Sequence, residues 1–136
     1  MDTNEDIILY KELSYKVIGL AMRVHSGLGH GFLEKVYENA LVLELRKLGL
    51  RAEQQKRVPV FYDEQLVGDY FADIIVENAV VLELKAADAI APEHEAQLIN
   101  YLKGTEIEVG LLLNFGPKPQ FVRKIFTNDK KSIRRG

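Results

Sequence analysis

The chain has 136 residues, with 18 Lys/Arg against 20 Asp/Glu, a net charge of −2, and 47% hydrophobic residues. This is the composition of an ordinary globular domain, and a chain of this size buries roughly two-thirds of its unfolded surface, so one domain over residues 1–136 is expected. The absence of cysteine excludes disulfides, thiolate metal sites and cysteine nucleophiles, and no apolar run approaches the ~20 residues that span a bilayer.

The acidic start, Met1 to Asp6, lacks the basic and apolar segments of a signal peptide, so the cytoplasm is the expected compartment. Residues 6 to 25 place Tyr10, Leu13, Val17, Leu20, Ala21 and Val24 at helical spacing. Three alternate glycines in residues 26 to 31 then allow a sharp reversal. A second helix is expected from about Phe32 to Leu48, ended by Gly49. Residues 52 to 67 read as two strands around Tyr62-Asp63-Glu64, and residues 70 to 86 as a further hairpin. A third helix starts near Pro92, a favoured first-turn residue, and stops before Gly104. Ile107 to Asn114 is a short apolar strand expected to be buried, and Phe121 to Thr127 a further edge strand. Helices, a run of strands, then helix and strand predict an α+β, layered fold with mixed strand directions.

Charge is unevenly spread. From Pro117 to Gly136, seven basic residues (Lys118, Arg123, Lys124, Lys130, Lys131, Arg134, Arg135) stand against Asp129, a local +6, which leaves −8 on the rest. Such a segment fits contact with a phosphate backbone, and equally a solvated basic terminus.

The hairpin carries the chemistry. Asp73, Glu83 and Lys85 lie inside apolar, β-branched strands, where a charge leaving water requires compensation. Alternation puts Glu83 and Lys85 on one face. An odd turn at Glu77-Asn78-Ala79 pairs Val76 with Val80 and sets Asp73 opposite Glu83, whereas a two-residue turn sends Asp73 to the other face. The odd turn is expected. Opposed carboxylates repel unless a cation lies between them; Lys85 supplies part of that charge and Mg²⁺ or Mn²⁺ the rest. The alternative is a solvent-facing salt-bridge cluster. Phe71 and Ile75, taken to share the face of Asp73, and Val81, sharing that of Glu83, argue against it.

Glu34 sits in the first turn of the second helix, at the margin of its apolar stripe. It is either favoured there by the helix dipole or a third carboxylate ligand. On the third helix His94, Gln97 and Tyr101 form one polar stripe; Gln97 is placed to position Lys85 or bind phosphate, and Tyr101 to close the site, unless the stripe is only an amphipathic face. His25, His30 and His94 lack the close spacing of a zinc site.

Gly31-Phe-Leu-Glu34-Lys-Val-Tyr37 forms a Gly-x-x-Glu-x-x-Tyr motif. Followed in order by Asp73, Glu83-x-Lys85 and Gln97-x-x-x-Tyr101, it makes residues 10 to 115 resemble the GxxExxY proteins of the PD-(D/E)XK nuclease superfamily. The resemblance implies a restriction-endonuclease-like core: helix, three- to four-stranded antiparallel meander, helix and final strand. It implies metal ligation by Asp73, Glu83 and Glu34, activation of water by Lys85, and auxiliary roles for Gln97 and Tyr101. Two departures are Ala72, where the superfamily's name has proline, and His30, where this group is expected to have proline. Neither touches the metal triad.

The expected function is Mg²⁺- or Mn²⁺-dependent hydrolysis of phosphodiester bonds, with DNA as the expected partner. Tyr37, His94, Arg123, Lys124, Lys130 and Lys131 are candidate nucleic-acid contacts. A homodimer is expected because so small a domain covers little of a duplex. The rivals are a catalytically silent nuclease-fold module that binds nucleic acid or protein, and an interaction protein that dimerises through its first helix.

Overall fold

A computed structural model describes residues 3–131, with side chains from Tyr10 onward; Arg134 and Arg135 of the basic segment lie outside the described residues. The elements are α1 (Thr3–Leu28), α2 (Glu34–Lys47), β1 (Ala52–Tyr62), β2 (Gln65–Val76), β3 (Val80–Lys85), α3 (Pro92–Gly104), β4 (Val109–Phe115) and β5 (Pro119–Ile125), followed by one 3₁₀ turn at Asn128–Lys130.

The strands form one mixed sheet in the order β1-β2-β3-β4-β5. Only β3 and β4 run parallel, as their α3 crossover permits; the other neighbours are antiparallel. Ile74, Val76, Leu82, Leu84, Leu111 and Leu113 project from one face into a core with Val17, Ala21, Leu41 and Leu45 of α1 and α2. From the other face Ile75, Val81 and Leu112 meet Leu98, Tyr101 and Leu102 of α3. Each fully buried Leu or Ile in these layers contributes about 1.5–3 kcal/mol of transfer free energy. Because β3 and β4 are covered on both faces, they read as near-continuous apolar runs, and the polar residues among them stand out.

Several boundaries differ from the sequence pattern. α1 runs through Ser26 and Gly27, because the left-handed residues are Gly29 and Gly31, with φ of 73° and 113°. The Gly29 N–H donates to the His25 carbonyl at 2.8 Å and closes the helix there. α2 begins at Glu34 instead of Phe32, since Leu33 is extended. Residues 65 to 67 are not a separate strand. Gly68 pairs with Val60, so β2 continues unbroken to Val76 and the meander has three strands, with a bulge at Val60/Phe61.

The turn after β2 is the odd one. Glu77 and Asn78 both take φ of 54°, the Ala79 N–H donates to the Val76 carbonyl at 3.0 Å, and Val76 pairs with Val80. Of the five described basic residues in the C-terminal segment, three are engaged in the fold, and Lys118 and Lys130 are exposed. Lys131 is buried, its Nζ donating to the carbonyls of Thr105 and Ile107 at 2.9 and 2.8 Å. Lys124 pairs with Glu95 at 2.9 Å, and Arg123 Nε donates to Ser14 Oγ at 3.3 Å.

The chain leaving β3 is pinned to β4. Buried Asn114 accepts from the Ala87 N–H at 2.9 Å and donates to the Ala87 carbonyl at 3.0 Å. Gly116 lies so close that a Cβ there would overlap the Ala87 carbonyl oxygen, a backbone atom with no rotamer to yield. Gly116→Ala is therefore expected to destabilise the protein by about 1–3 kcal/mol, read as a melting temperature lower by several degrees; an unchanged melting temperature would show that this approach is not close.

Candidate active site

The ladder between β2 and β3 runs from Val76↔Val80 through Ile75↔Val81 to Ile74↔Leu82. At Asp73 the two strands part. Here the Asp73 carboxylate takes the place of a ladder carbonyl, its Oδ2 accepting the Leu84 N–H at 2.8 Å. The strand alternation also slips: Ala72 and Ile75 both join the α3-side cluster, and Phe71 is 56% exposed. Phe71 therefore forms no apolar wall beside Asp73. The irregularity has a counterpart on β1, where Gln55 adopts a φ of 51° opposite Asp73 and drops out of the register between Gln54↔Ile74 and Lys56↔Ala72.

Asp73 and Glu83 meet in this fork. The Asp73 N–H and its carboxyl both reach the Glu83 carboxyl. Burial first, then the Asp73 charge, push Glu83 up to about 8 from an ordinary 4.5, despite the opposing pull of Lys85. Asp73 is raised as well, by burial, against the lowering hydrogen bonds from Leu84 and Gln55. Lys85, two residues along the strand from Glu83, is half-buried and acts on both acids through space.

Above Glu83 stand two tyrosines. Tyr70 of β2 and Tyr101 of α3 meet edge to face with ring centroids 4.5 Å apart. Tyr70 is pushed up to about 12 by burial and by the two acids. Burial and Glu83 likewise raise Tyr101, whose hydroxyl is buried without a hydrogen-bond partner.

The other predicted residues fall elsewhere. Glu34 is not brought into the acid pair, and among the described residues no three Asp, Glu or His side chains form a metal-holding group. As the first residue of α2, Glu34 is exposed and accepts the Ala86 N–H at 3.3 Å, just past the end of β3. Tyr37 is fully buried: its ring stacks on Phe115 at 4.7 Å, and its hydroxyl donates to the Gly29 carbonyl at 2.6 Å and accepts the Phe32 N–H at 3.3 Å. It has no surface to offer a nucleic acid. The Gly-x-x-Glu-x-x-Tyr motif thus builds the reversal before α2 and ties it to the strand that bears Glu83 and Lys85. His94 Nδ1 accepts the Ala91 N–H at 3.1 Å and caps α3. Gln97 is exposed on the same helix. Of the basic candidates, Lys130 is exposed, whereas Arg123, Lys124 and Lys131 are engaged as described above.

Two residues near the site were given no role from sequence. Glu38, only 3% exposed, lies one turn beyond Glu34 and adds its charge to the field on Asp73. Gln55 links the two, its Nε2 donating to Glu38 Oε1 at 3.1 Å and to Asp73 Oδ1 at 3.3 Å. A buried-position glutamate on α2 was the available signal; a left-handed glutamine in a strand leaves none.

Glu83 Oε2 is buried with no hydrogen-bond partner. An unpartnered carboxylate oxygen beside a second carboxylate, with both acids raised, is a donor set suited to a hard divalent cation. Asp73 and Glu83 are the residues that would hold it.

A five-stranded mixed sheet with two helices on one face, one on the other, and paired acids where β2 and β3 diverge is a restriction-endonuclease-like α+β fold. A family model of the PD-(D/E)XK nuclease superfamily matches residues 11–125, and the chain belongs to that superfamily. The crystal structure of SSO0001 is similar in fold, with a TM-score of 0.54 at 20% identity over 75% of this chain and 55% of SSO0001. The chain thus spans little more than half the length of that relative. No curated protein matches the chain.

The Glu83 shift fixes the sign of a pH effect. Between about 4.5 and about 8 the folded protein holds a proton that the unfolded chain has released, so stability is lost as pH rises through that window. Without divalent ions, the melting temperature is expected to fall by several degrees between about pH 5 and pH 8.5. Glu83→Gln should flatten the fall. An equal decline in the variant would assign the effect to other groups.

Proposed function

We propose that the protein is a metal-dependent nuclease that hydrolyses phosphodiester bonds, with DNA as its substrate, and that it is one of the GxxExxY proteins. The observation that carries this reading is the half-buried pair of Asp73 and Glu83 with one buried, orphaned Glu83 oxygen, two residues from Lys85. Bound Mg²⁺ or Mn²⁺ supplies a Lewis acid for a phosphate oxygen and a water of lowered pKa.

The chain's own residues do the rest. Asp73 presents its carboxylate in an orientation held by the Leu84 N–H on one oxygen and Gln55 on the other. Glu83, on the neighbouring strand, completes the pair. Lys85 keeps a positive charge beside the acids, where it stabilises the negative charge that grows on the attacked phosphate. Tyr101 brings a buried hydroxyl without a hydrogen-bond partner close to Glu83, a donor available to that carboxyl out of competition with water. Membership of the nuclease superfamily supports a nucleic-acid substrate.

Incubation with linear, nicked, branched and single-stranded DNA, and with RNA, in the presence of Mg²⁺ or Mn²⁺ tests the reading. Wild type is expected to cut at least one of these. Asp73→Asn, Glu83→Gln and Lys85→Ala should each reduce the rate by about 100-fold or more, at least 2.7 kcal/mol of transition-state stabilisation. Lys85→Ala should leave the protein folded, because Lys85 makes no hydrogen bond or ion pair among the described residues and acts on the acids only through space. Cleavage of none of the substrates by a folded wild type would overturn the nuclease reading in favour of a silent binding module.

A further inference from the structure

We propose that Gln55 is the positioning residue of the acid pair, and that Glu38 anchors it. This deepens the nuclease reading and rests on it. Three observations converge. Gln55 is the one residue of β1 held at positive φ, at 51°, a left-handed conformation that is strained for a non-glycine residue. Its strain sits opposite Asp73, where the β1–β2 register lapses for a single position. Its side-chain amide lies between two acids, 3.1 Å from Glu38 Oε1 and 3.3 Å from Asp73 Oδ1.

An amide nitrogen carries two hydrogens and ionised carboxylates only accept, so one Nε2 serves both acids at once. Glu38 is fixed in turn. Its Oε2 accepts Gln54 Nε2 at 2.8 Å and Lys35 Nζ at 3.1 Å. The order of action runs from α2 to the site: Lys35 and Gln54 hold Glu38, Glu38 orients the Gln55 amide, and the amide sets one oxygen of Asp73. The Leu84 N–H sets the other at 2.8 Å. Asp73 is thereby held by one donor on each oxygen. Backbone strain retained at a position that aims a side chain at a ligand-bearing acid is the expected mark of preorganisation. A residue serving stability alone at this position would be glycine.

That contrast supplies the test. Gln55→Gly removes the amide and relieves the strain together, so the metal-free melting temperature is expected to hold or rise. Loss of an outer hydrogen bond to a ligating carboxylate weakens metal affinity by about 10–100-fold. The half-saturating Mn²⁺ concentration, read by calorimetry and by thermal shift, should rise by about tenfold or more. In cleavage assays at saturating Mn²⁺, kcat should fall while KM for the nucleic acid stays within about twofold. Gln55→Asn, which also tolerates left-handed φ but is one methylene shorter, should behave as glycine does. Equal Mn²⁺ affinity in wild type and Gln55→Gly would overturn this role and leave the nuclease reading standing. Failure of wild type to bind Mn²⁺ at all would overturn both.

Discussion

Everything in this molecule that bears on chemistry depends on how one carboxylate is accommodated where two strands separate. A carboxylate inside a sheet is costly, and the cost is met because Asp73 stands in for a missing ladder acceptor of the Leu84 N–H. That single exchange fixes the divergence of β2 and β3, brings Asp73 against Glu83, and leaves Lys85 at the end of the strand. The two halves of the hairpin diverge in purpose from that point. Toward the turn, Ile74, Ile75 and Val76 are core; beyond Asp73, β2 pairs only with β1, and after Ala72 and Tyr70 have joined the α3-side cluster it becomes an exposed arm from Asp69 outward.

The acids are partly withdrawn from water without being paired off. Their raised protonation equilibria, the orphaned Glu83 oxygen and the two tyrosines above it are consequences of the same enclosure. Burying two like charges against each other is destabilising, so such an arrangement persists in a marginally stable protein only where something offsets it. Here the offset comes from the apolar layers on both faces of β3 and β4, and from Lys85. The clamp of Asn114 on Ala87 keeps the chain beyond Lys85 from relaxing away.

Much of the fold was legible in the sequence because it follows from periodicity. The three helices, the buried β4 and the odd turn were each readable from apolar spacing and turn residues. The turn length alone gave the register from Val76↔Val80 to Ile74↔Leu82 that leads up to Asp73. What resisted reading was non-local. Glu34 and Glu38 differ by one helical turn, and which of them approaches the acids depends on where α2 starts and how it crosses the sheet; Leu33 is extended, so Glu34 became the first helical residue and turned to Ala86. Lys131 resembled a solvated basic terminus, but two carbonyls between α3 and β4 captured its ammonium. Gln55 offered no cue, because nothing in a run of polar strand residues signals a left-handed backbone.

The parallel pairing of β3 with β4 has a consequence for synthesis. The acids and the lysine have all been synthesised by residue 85, yet the strand that flanks them on the far side, from Val109 to Phe115, is separated from them by all of α3. Lys85 aligns with Asn114, the residue that grips Ala87. A nascent chain that ends before β4 therefore carries every charged group of the centre on an unsupported hairpin, and the centre takes shape only when the crossover closes.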